Sequence, residues 1–419
     1  MDFAPTRRSL IAATLAAPLL VRPGLVRAAE PDLSALSDMT RDVVPIGPAE
    51  RAGRLARAQA LMKAIGIGAI LVESGSSLAY FTGVRWGRSE RLTAAVIPVE
   101  GAPCIVTPFF EEPSIRESLG VPADVRVWQE DESPTALVAG FLKERRLTAR
   151  AIGIEETVRF FASDGVRRLL PDTPIVSADP VVRGCRMIKT AAEIALMQRA
   201  TDVTIAAYRW TYPRVETGMT GNDVGALMNA ATRRLGGDPE FALALIGPAA
   251  ALPHGSREVH RVAKDEIVLM DCGCTVEGYQ SDVSRTWVHG TATTAQRTVW
   301  DTVAKGQRIA FAAARIGAPA GSVDDAVRAF YASLGYGPGY TLPGLSHRTG
   351  HGIGMDGHEP VNLVHGERTA LAAGMCFSDE PGLYLPGRFG VRLEDCFHMT
   401  AAGPRWFSTP PSSIDTPIG

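Results

Sequence analysis

Long apolar runs are scarce in this chain of 419 residues. Beyond the first thirty positions, no stretch reaches the about 20 apolar residues of a membrane-spanning helix without a charge or a polar break. That predicts a mature chain with no membrane anchor. A surplus of charge is also lacking: Lys and Arg number 43 against 45 Asp and Glu, a balance that argues against nucleic acid as the main partner. Cysteine is sparse, six in all, with no Cys-x-x-Cys pair, so neither a zinc ribbon nor a dithiol redox motif is expected. Cys272 and Cys274 lie two apart in a strand-like run, a spacing that rarely bridges. Buried free thiols are expected for most of the six, with a Cys376–Cys396 bridge left open. Glycine is plentiful, at 42, but follows no Gly-X-Y period, which excludes a collagen-like rod. What remains is an ordinary folded composition, 46% hydrophobic and 21% charged, at a length that suits two or three domains.

Residues 1–29 read as a cleaved export signal and not as part of the fold. Arg7-Arg8 precedes an apolar run from Leu10 to Val21, and small Ala28-Ala29 follows, the charged, apolar, small-residue order of such signals. The paired arginines point to the twin-arginine route and hence to a periplasmic address. Residues 30–45 read as a linker.

From Pro48 to Ile65 apolar residues recur at helical spacing, and Gly66 stops the pattern. A strand follows at Gly68–Val72, and Leu92–Val99 with Ala102–Val106 reads as a hairpin. Helices are expected at Ser133–Arg145 and Phe160–Leu170, and strands at Ala151–Ile154 and Ile175–Ser177. This alternation predicts an α/β domain over residues 46–180, with Asp179-Pro180 opening a link onward. Residues 181–411 read as a second, α+β domain. Thr190-x-x-Glu193 is a capping box; Thr220-x-x-Asp223 and Ser322-x-x-Asp325 are similar helix-start signals. A further helix is expected at Gln296–Ile316. Strand-like runs lie at Phe241–Ile246, Glu266–Cys274, Gln280–Val288, Met375–Leu385 and Gly390–Thr400.

The chemistry-bearing residues sit on two of the expected hairpins and one loop. Asp271 interrupts an apolar strand, and Asp282 follows eleven residues later across a turn near Val276-Glu277. Side chains alternate faces with period two. A turn centred there sets the two carboxylates opposite each other, and a slip of one residue sets them diagonally on the same face. Glu380 and Glu394 are fourteen apart with Gly387 midway, which again places a carboxylate pair opposite each other. Between the hairpins runs His347-Arg348-Thr349-Gly350-His351-Gly352-Ile353-Gly354-Met355-Asp356-Gly357-His358, holding three of the eight histidines. Paired carboxylates on apolar strands repel unless a positive object lies between them. Carboxylates with one imidazole suit Mn²⁺, Co²⁺, Fe²⁺ or Zn²⁺.

These segments, taken in order, resemble the pita-bread metallopeptidase family M24, which includes Xaa-Pro dipeptidase, Xaa-Pro aminopeptidase, methionyl aminopeptidase and creatinase. The resemblance rests on Leu269–Gly273, Ser281–Thr286, His347–His358, Asp379–Tyr384 and Gly390–Asp395. It implies an α+β pita-bread catalytic domain preceded by a creatinase-type α/β N-terminal domain. It implies a centre of two divalent ions, with Mn²⁺ favoured, held by Asp271, Asp282, His351, Glu380 and Glu394. By the same resemblance Glu380 handles the proton of the attacking water. His254 contacts the scissile nitrogen, His358 steadies the developing oxyanion and His347 lines the substrate pocket. His260, His289, His365 and His398 match nothing.

The implied activity is hydrolysis of the N-terminal Xaa-Pro bond of short proline-containing peptides, by a protein that is a homodimer as related enzymes often are. Dipeptidase members tend to carry a basic group just after the His358 position, where this chain has Glu359-Pro360-Val361-Asn362. Arg392 is either a substitute anchor for the substrate carboxylate or a structural salt bridge. Two other functions fit the resemblance: an amidase or lyase acting on a small creatine- or betaine-like compound, and a silent pita-bread protein that only binds peptides or partners.

Overall fold

The computed structural model describes residues 31–419, so the export signal expected over residues 1–29 lies outside the described residues. The first part is built from α1 (Pro48–Ile65), β1 (Ile67–Glu73), α2 (Ser76–Thr82), β2 (Ala94–Pro98), β3 (Cys104–Pro108), α3 (Glu112–Ser118), β4 (Asp124–Trp128), α4 (Pro134–Glu144), β5 (Ala151–Ile154), α5 (Phe160–Leu169), β6 (Ile175–Ser177) and α6 (Asp179–Arg186). Its single sheet runs β4-β3-β2-β1-β5-β6. The β1–β2–β3 segment is antiparallel, and the flanking pairs are parallel. Alternation along β1 sends Ile70 and Val72 into one apolar core with Ala58, Met62 and Val181, while Ala69 and Leu71 enter another with Val138, Leu142 and Val166. The sheet is therefore buried on both faces.

Two expectations are corrected here. The Asp179-Pro180 stretch is helix α6, with Pro180 in the first turn, where its missing N–H is no loss. Val181, Val182 and Cys185 then pack into the first core. Within the linker expected at residues 30–45, the stretch from Leu33 to Val43 is docked. Leu33, Leu36, Met39 and Val43 lie against the core of the second part, and the Met39 amide donates to the Leu235 carbonyl at 2.8 Å.

The second part contains α7 (Ala191–Thr211), α8 (Gly221–Arg234), β7 (Asp238–Ile246), β8 (Glu266–Val276), β9 (Tyr279–Gln280), β10 (Val283–His289), α9 (Thr294–Ala313), α10 (Gly321–Ser333), β11 (Gly350–Gly352), β12 (Glu359–Leu363), β13 (Cys376–Asp379), β14 (Gly382–Leu385), β15 (Phe389–Arg392), β16 (Asp395–Thr400) and β17 (Gly403–Trp406). Full capping boxes start α7 and α8 at Thr190/Glu193 and Thr220/Asp223. A third, Thr293/Gln296, starts α9 two residues before the expected Gln296. Ser322 is not a cap: α10 begins at Gly321, and the Ser322 hydroxyl donates back to the Pro319 carbonyl at 2.6 Å.

One antiparallel sheet runs β10-β8-β7, with β9 extending the hairpin, and another runs β12-β11-β13-β16-β17; β14 and β15 form a separate ribbon. Helices α7 and α8 cover the first sheet through Val203, Val224 and Met228 against Val268, Met270 and Cys272. Helices α9 and α10 cover the second sheet and the ribbon through Val299, Val303, Val323 and Val327 against Phe377 and Phe397 of the sheet and Leu383 and Val391 of the ribbon. Asp271 alternates with Met270 and Cys272, so it faces away from α7 and α8. All six cysteines are free and buried. Register explains the unformed bridge: Cys376 pairs with His398, and Cys396 pairs with Ser378.

Two buried ionic clusters join the parts. Arg54 of α1 donates to the Tyr279 hydroxyl at 2.8 Å and lies 3.3 Å from Glu193, to which Tyr279 donates at 2.8 Å. Arg186 of α6 and Lys189 hold Glu359 at 2.6 and 2.8 Å, and Arg186 also holds Asp356 at 2.7 Å.

Candidate metal centre

The β8–β10 hairpin turns at Glu277-Gly278, both with positive φ (51° and 79°), the two-residue turn that suits twisted antiparallel strands. Ser284 therefore pairs with Asp271. Asp282 falls one step diagonal to Asp271 on the same face, the second of the two registers considered. In the other hairpin, Asp379 pairs with Asp395 and Gly382 with Arg392, so Glu380 stands opposite Glu394, as expected. Both glutamates lie in the gap between ribbon β14–β15 and the larger sheet. There the Glu380 amide donates to the Thr349 carbonyl at 2.9 Å, and the Glu394 amide to the Ser284 carbonyl at 3.1 Å.

The loop entering β11 supplies the imidazole. Glycine is required where its backbone passes close to neighbours: a Cβ on Gly352 would lie 2.6 Å from the Glu359 carbonyl oxygen. His351 Nδ1 donates to the Gly352 carbonyl at 3.1 Å. That bond leaves Nε2 with its lone pair, 3.3 Å from Glu380 and 3.7 Å from Asp282. Three overlapping groups, Asp282/His351/His358, His351/Glu380/Glu394 and Asp271/Asp282/Glu394, each place their ligand atoms within 4.8 Å of one another. The five expected metal ligands are thus brought to one place, with His358 at its edge.

Four carboxylates meet here against one guanidinium. Arg392 donates to Asp271 at 2.6 Å, to Ser284 Oγ at 3.0 Å and to the Tyr384 hydroxyl at 3.2 Å. Arg392 is therefore a structural partner of Asp271. Ser284 Oγ lies 3.0 Å from Asp271 and 2.7 Å from Glu394. Burial, and then the neighbouring carboxylates, push Asp282 and Glu394 well above the usual carboxylate range. Burial also pushes Glu380 up to about 7. One buried oxygen of Asp282 has no hydrogen-bond partner. Orphaned oxygen, crowded carboxylates and an aimed imidazole nitrogen fit divalent cations, which would neutralise the repulsion and take up the free lone pairs.

The catalytic histidines expected from the sequence border the same cavity of about 940 Å³, together with Glu240, Phe241, Pro253, Gln280, Arg348 and Asp356. His254 lines one wall. The His358 ring sits edge-on to His351 with centroids 4.1 Å apart. His347 Nδ1 donates to the Arg348 carbonyl at 2.8 Å, so its Nε2 accepts from Tyr384 at 2.7 Å. Burial depresses all three of His347, His351 and His358, His347 to about 3. Ser284, Tyr384 and Arg348 were not picked out from the sequence. Ser284 lies two residues after Asp282, so period two places it on the ligand face and could have flagged it, whereas Arg392 was flagged and its salt-bridge reading holds.

A "Creatinase/Prolidase N-terminal domain" family model matches residues 54–188, and a "Metallopeptidase family M24" model matches residues 195–401. "Probable dipeptidase PepE" of Mycobacterium tuberculosis is 32% identical over 356 residues, which are 84% of this chain and 92% of that protein. The chain belongs to metallopeptidase family M24. An "Xaa-Pro dipeptidase" of Lactobacillus helveticus is 31% identical to this M24 chain over 339 residues, 79% of it and 90% of the relative. The crystal structure of dipeptidase PepE from Mycobacterium ulcerans superposes with a TM-score of 0.81 at 32% identity, covering 88% of this chain and 98% of that one. The M24 chain is accordingly a metallopeptidase, with a creatinase-type N-terminal domain and a pita-bread catalytic domain.

Proposed function

We propose that this metallopeptidase hydrolyses the N-terminal Xaa-Pro bond of short peptides, using two divalent ions held by Asp271, Asp282, His351, Glu380 and Glu394. The reading is carried by the convergence of those five side chains on one wall of the cavity. It is supported by the relative named Xaa-Pro dipeptidase.

When bound, such a pair of ions lowers the pKa of water and polarises a carbonyl as a Lewis acid. The chain's own groups do the rest. Glu380 accepts the proton of the attacking water and returns it to the departing prolyl nitrogen. His358, held neutral by burial, donates a hydrogen bond to the carbonyl oxygen as negative charge develops on it. His254 faces the scissile nitrogen, which in an Xaa-Pro bond has no hydrogen to offer. His347, fixed between Arg348 and Tyr384, shapes the pocket for the ring. Arg392 and Ser284 keep Asp271 and Glu394 aimed inward.

The deciding experiment is turnover of Ala-Pro, Xaa-Pro-Xaa peptides, creatine and dimethylsulfoniopropionate with added Mn²⁺, with Asp271→Ala as control. Cleavage of the peptides alone supports the reading, and turnover of creatine or the sulfonium compound alone replaces it with a small-molecule amidase or lyase. No turnover of any compound supports a silent binding protein. Full activity in metal-stripped Asp271→Ala would refute the mechanism.

We further propose export through the twin-arginine signal to the periplasm, Mn²⁺ as the working ion, and assembly as a homodimer. Cell fractionation of the Arg7→Lys, Arg8→Lys double variant, metal analysis of purified protein and sedimentation respectively test these. Among the described residues, no helix is long and apolar enough to cross a membrane.

A further inference from the structure

The histidine assigned to the carbonyl oxygen is not aimed by its own contacts. Among the described residues the His358 ring makes no hydrogen bond and no ion pair, and its one ring contact is the edge-on approach to His351 at 4.1 Å. Its direction comes from the backbone on either side. Residues 353–358 lie between β11 and β12, with Gly354 and Gly357 among them, so strand pairing does not set their course. Gln280 holds the Gly354 and Met355 carbonyls at 2.8 and 3.2 Å. The remaining outside tethers come largely from the N-terminal domain.

Glu359 Oε1 accepts from the Met355 and Asp356 amides at 2.9 and 3.2 Å, which folds the segment round that carboxylate. Arg186 Nη2 bonds the same oxygen at 2.6 Å and Asp356 Oδ2 at 2.7 Å. One nitrogen of α6 thus joins the carboxylates on either side of His358. Ser76, at the start of α2, donates a second bond to Asp356 Oδ2 at 2.6 Å. Arg186 Nη1 donates to the Ser76 and Ser77 hydroxyls at 2.9 and 3.0 Å, which fixes the orientation of the guanidinium. Burial pushes the Glu359 carboxyl up, but Arg186 and then Lys189 hold it down to about 2, so this anchor stays charged. Met355 packs against the first core of the N-terminal domain.

We propose that the N-terminal domain aims the oxyanion histidine, with Ser76 and Arg186 acting through Asp356 as positioning residues for His358. The inference rests on the role given to His358 above and adds to it a catalytic duty for the domain that holds no metal ligand. A donor moved by about 1 Å from a developing charge loses up to about 100-fold in rate, so the clamp is felt in the transition state more than in binding.

The test is a double-mutant cycle read in kcat and KM for Ala-Pro with Mn²⁺-loaded protein. Asp356→Ala is expected to lower kcat by about 10- to 100-fold and to leave KM within about twofold. Ser76→Ala removes one of the two bonds to Asp356 and should lower kcat by about 3- to 10-fold. Asp356→Asn, whose amide oxygen still accepts from Ser76 and Arg186, should recover part of the loss. A His358→Ala background is itself slowed by about 100- to 1,000-fold. There the same substitutions should change kcat by less than about twofold, because no ring is left to aim. Bound metal should match wild type throughout, since the five ligands lie outside residues 353–359. If Asp356→Ala fails to fold, Ser76→Ala decides alone. Unaltered kcat in the single variants, equal losses with and without His358, or a change in KM alone overturns the positioning role and leaves the peptidase reading standing. Full activity in His358→Ala overturns the oxyanion role and this inference together, and no turnover of Ala-Pro by the wild type overturns the peptidase reading as well.

Discussion

Replacing Glu380 by Gln should stabilise the metal-free protein and weaken the metal-loaded one. Burial raises the Glu380 carboxyl from an ordinary 4.5 to about 7. A carboxyl raised in the fold contributes stability that is fully present below its unfolded pKa and is lost as pH climbs through the folded one. At about 1.4 kcal/mol per unit, that loss comes to about 3 kcal/mol between about pH 4.5 and pH 7. A neutral amide of the same shape does not titrate. The two metal-free proteins should therefore be about equally stable near pH 4.5, and Glu380→Gln the more stable by about 3 kcal/mol at neutral pH. His347, His351 and His358, all depressed by burial, work the other way below their ordinary 6.5. They titrate in both proteins, so they cancel in the difference. Urea unfolding of metal-stripped wild type and variant at about pH 5 and about pH 8 reads this directly. Adding Mn²⁺ should then reverse the order, since only the wild type keeps all five donors. A pH-independent difference, or a metal-free variant less stable than wild type at neutral pH, would refute the claim that burial holds the Glu380 carboxyl above its ordinary range.

Ser284→Ala removes the hydroxyl between Asp271 and Glu394, and metal affinity by competitive chelation should fall by about 10- to 100-fold. Arg186→Ala strips one cation from buried Glu359 while Lys189 remains; denaturant unfolding should show a loss of about 3 kcal/mol. Gly352→Ala drives a methyl to 2.6 Å from the Glu359 carbonyl. Its cost of about 3 kcal/mol or more should appear as a lowered melting point together with lost metal binding.

The second hairpin was readable because its glutamates are symmetric about Gly387, and the register has Glu380 opposite Glu394. The first was read one residue early, because the positive-φ pair is Glu277-Gly278, and nothing local marks Glu277 as left-handed. Helix α6 was mistaken for a link because Pro180 looks like a break, although proline is at ease in a first helical turn. Alternation along strands exposed the five donors as sharing faces. Of their supports, the salt bridge of Arg392 was among the readings the sequence offered, whereas Tyr384 was not, because it matters only through contacts to Arg392 and His347. The docking of residues 33–46 likewise depends on a surface that α7 and α8 create.

Glu193 and Glu359 each belong to the catalytic half but owe neutralisation to arginines of the half before it, Arg54 and Arg186. A minimal version starting at residue 191 would inherit both acids without those guanidiniums, and Glu359 would lose Lys189 as well. Such a fragment would have to protonate the orphaned acids or open water paths to them. Anyone trimming or shuffling this protein should move the halves as one piece, or recode both glutamates first.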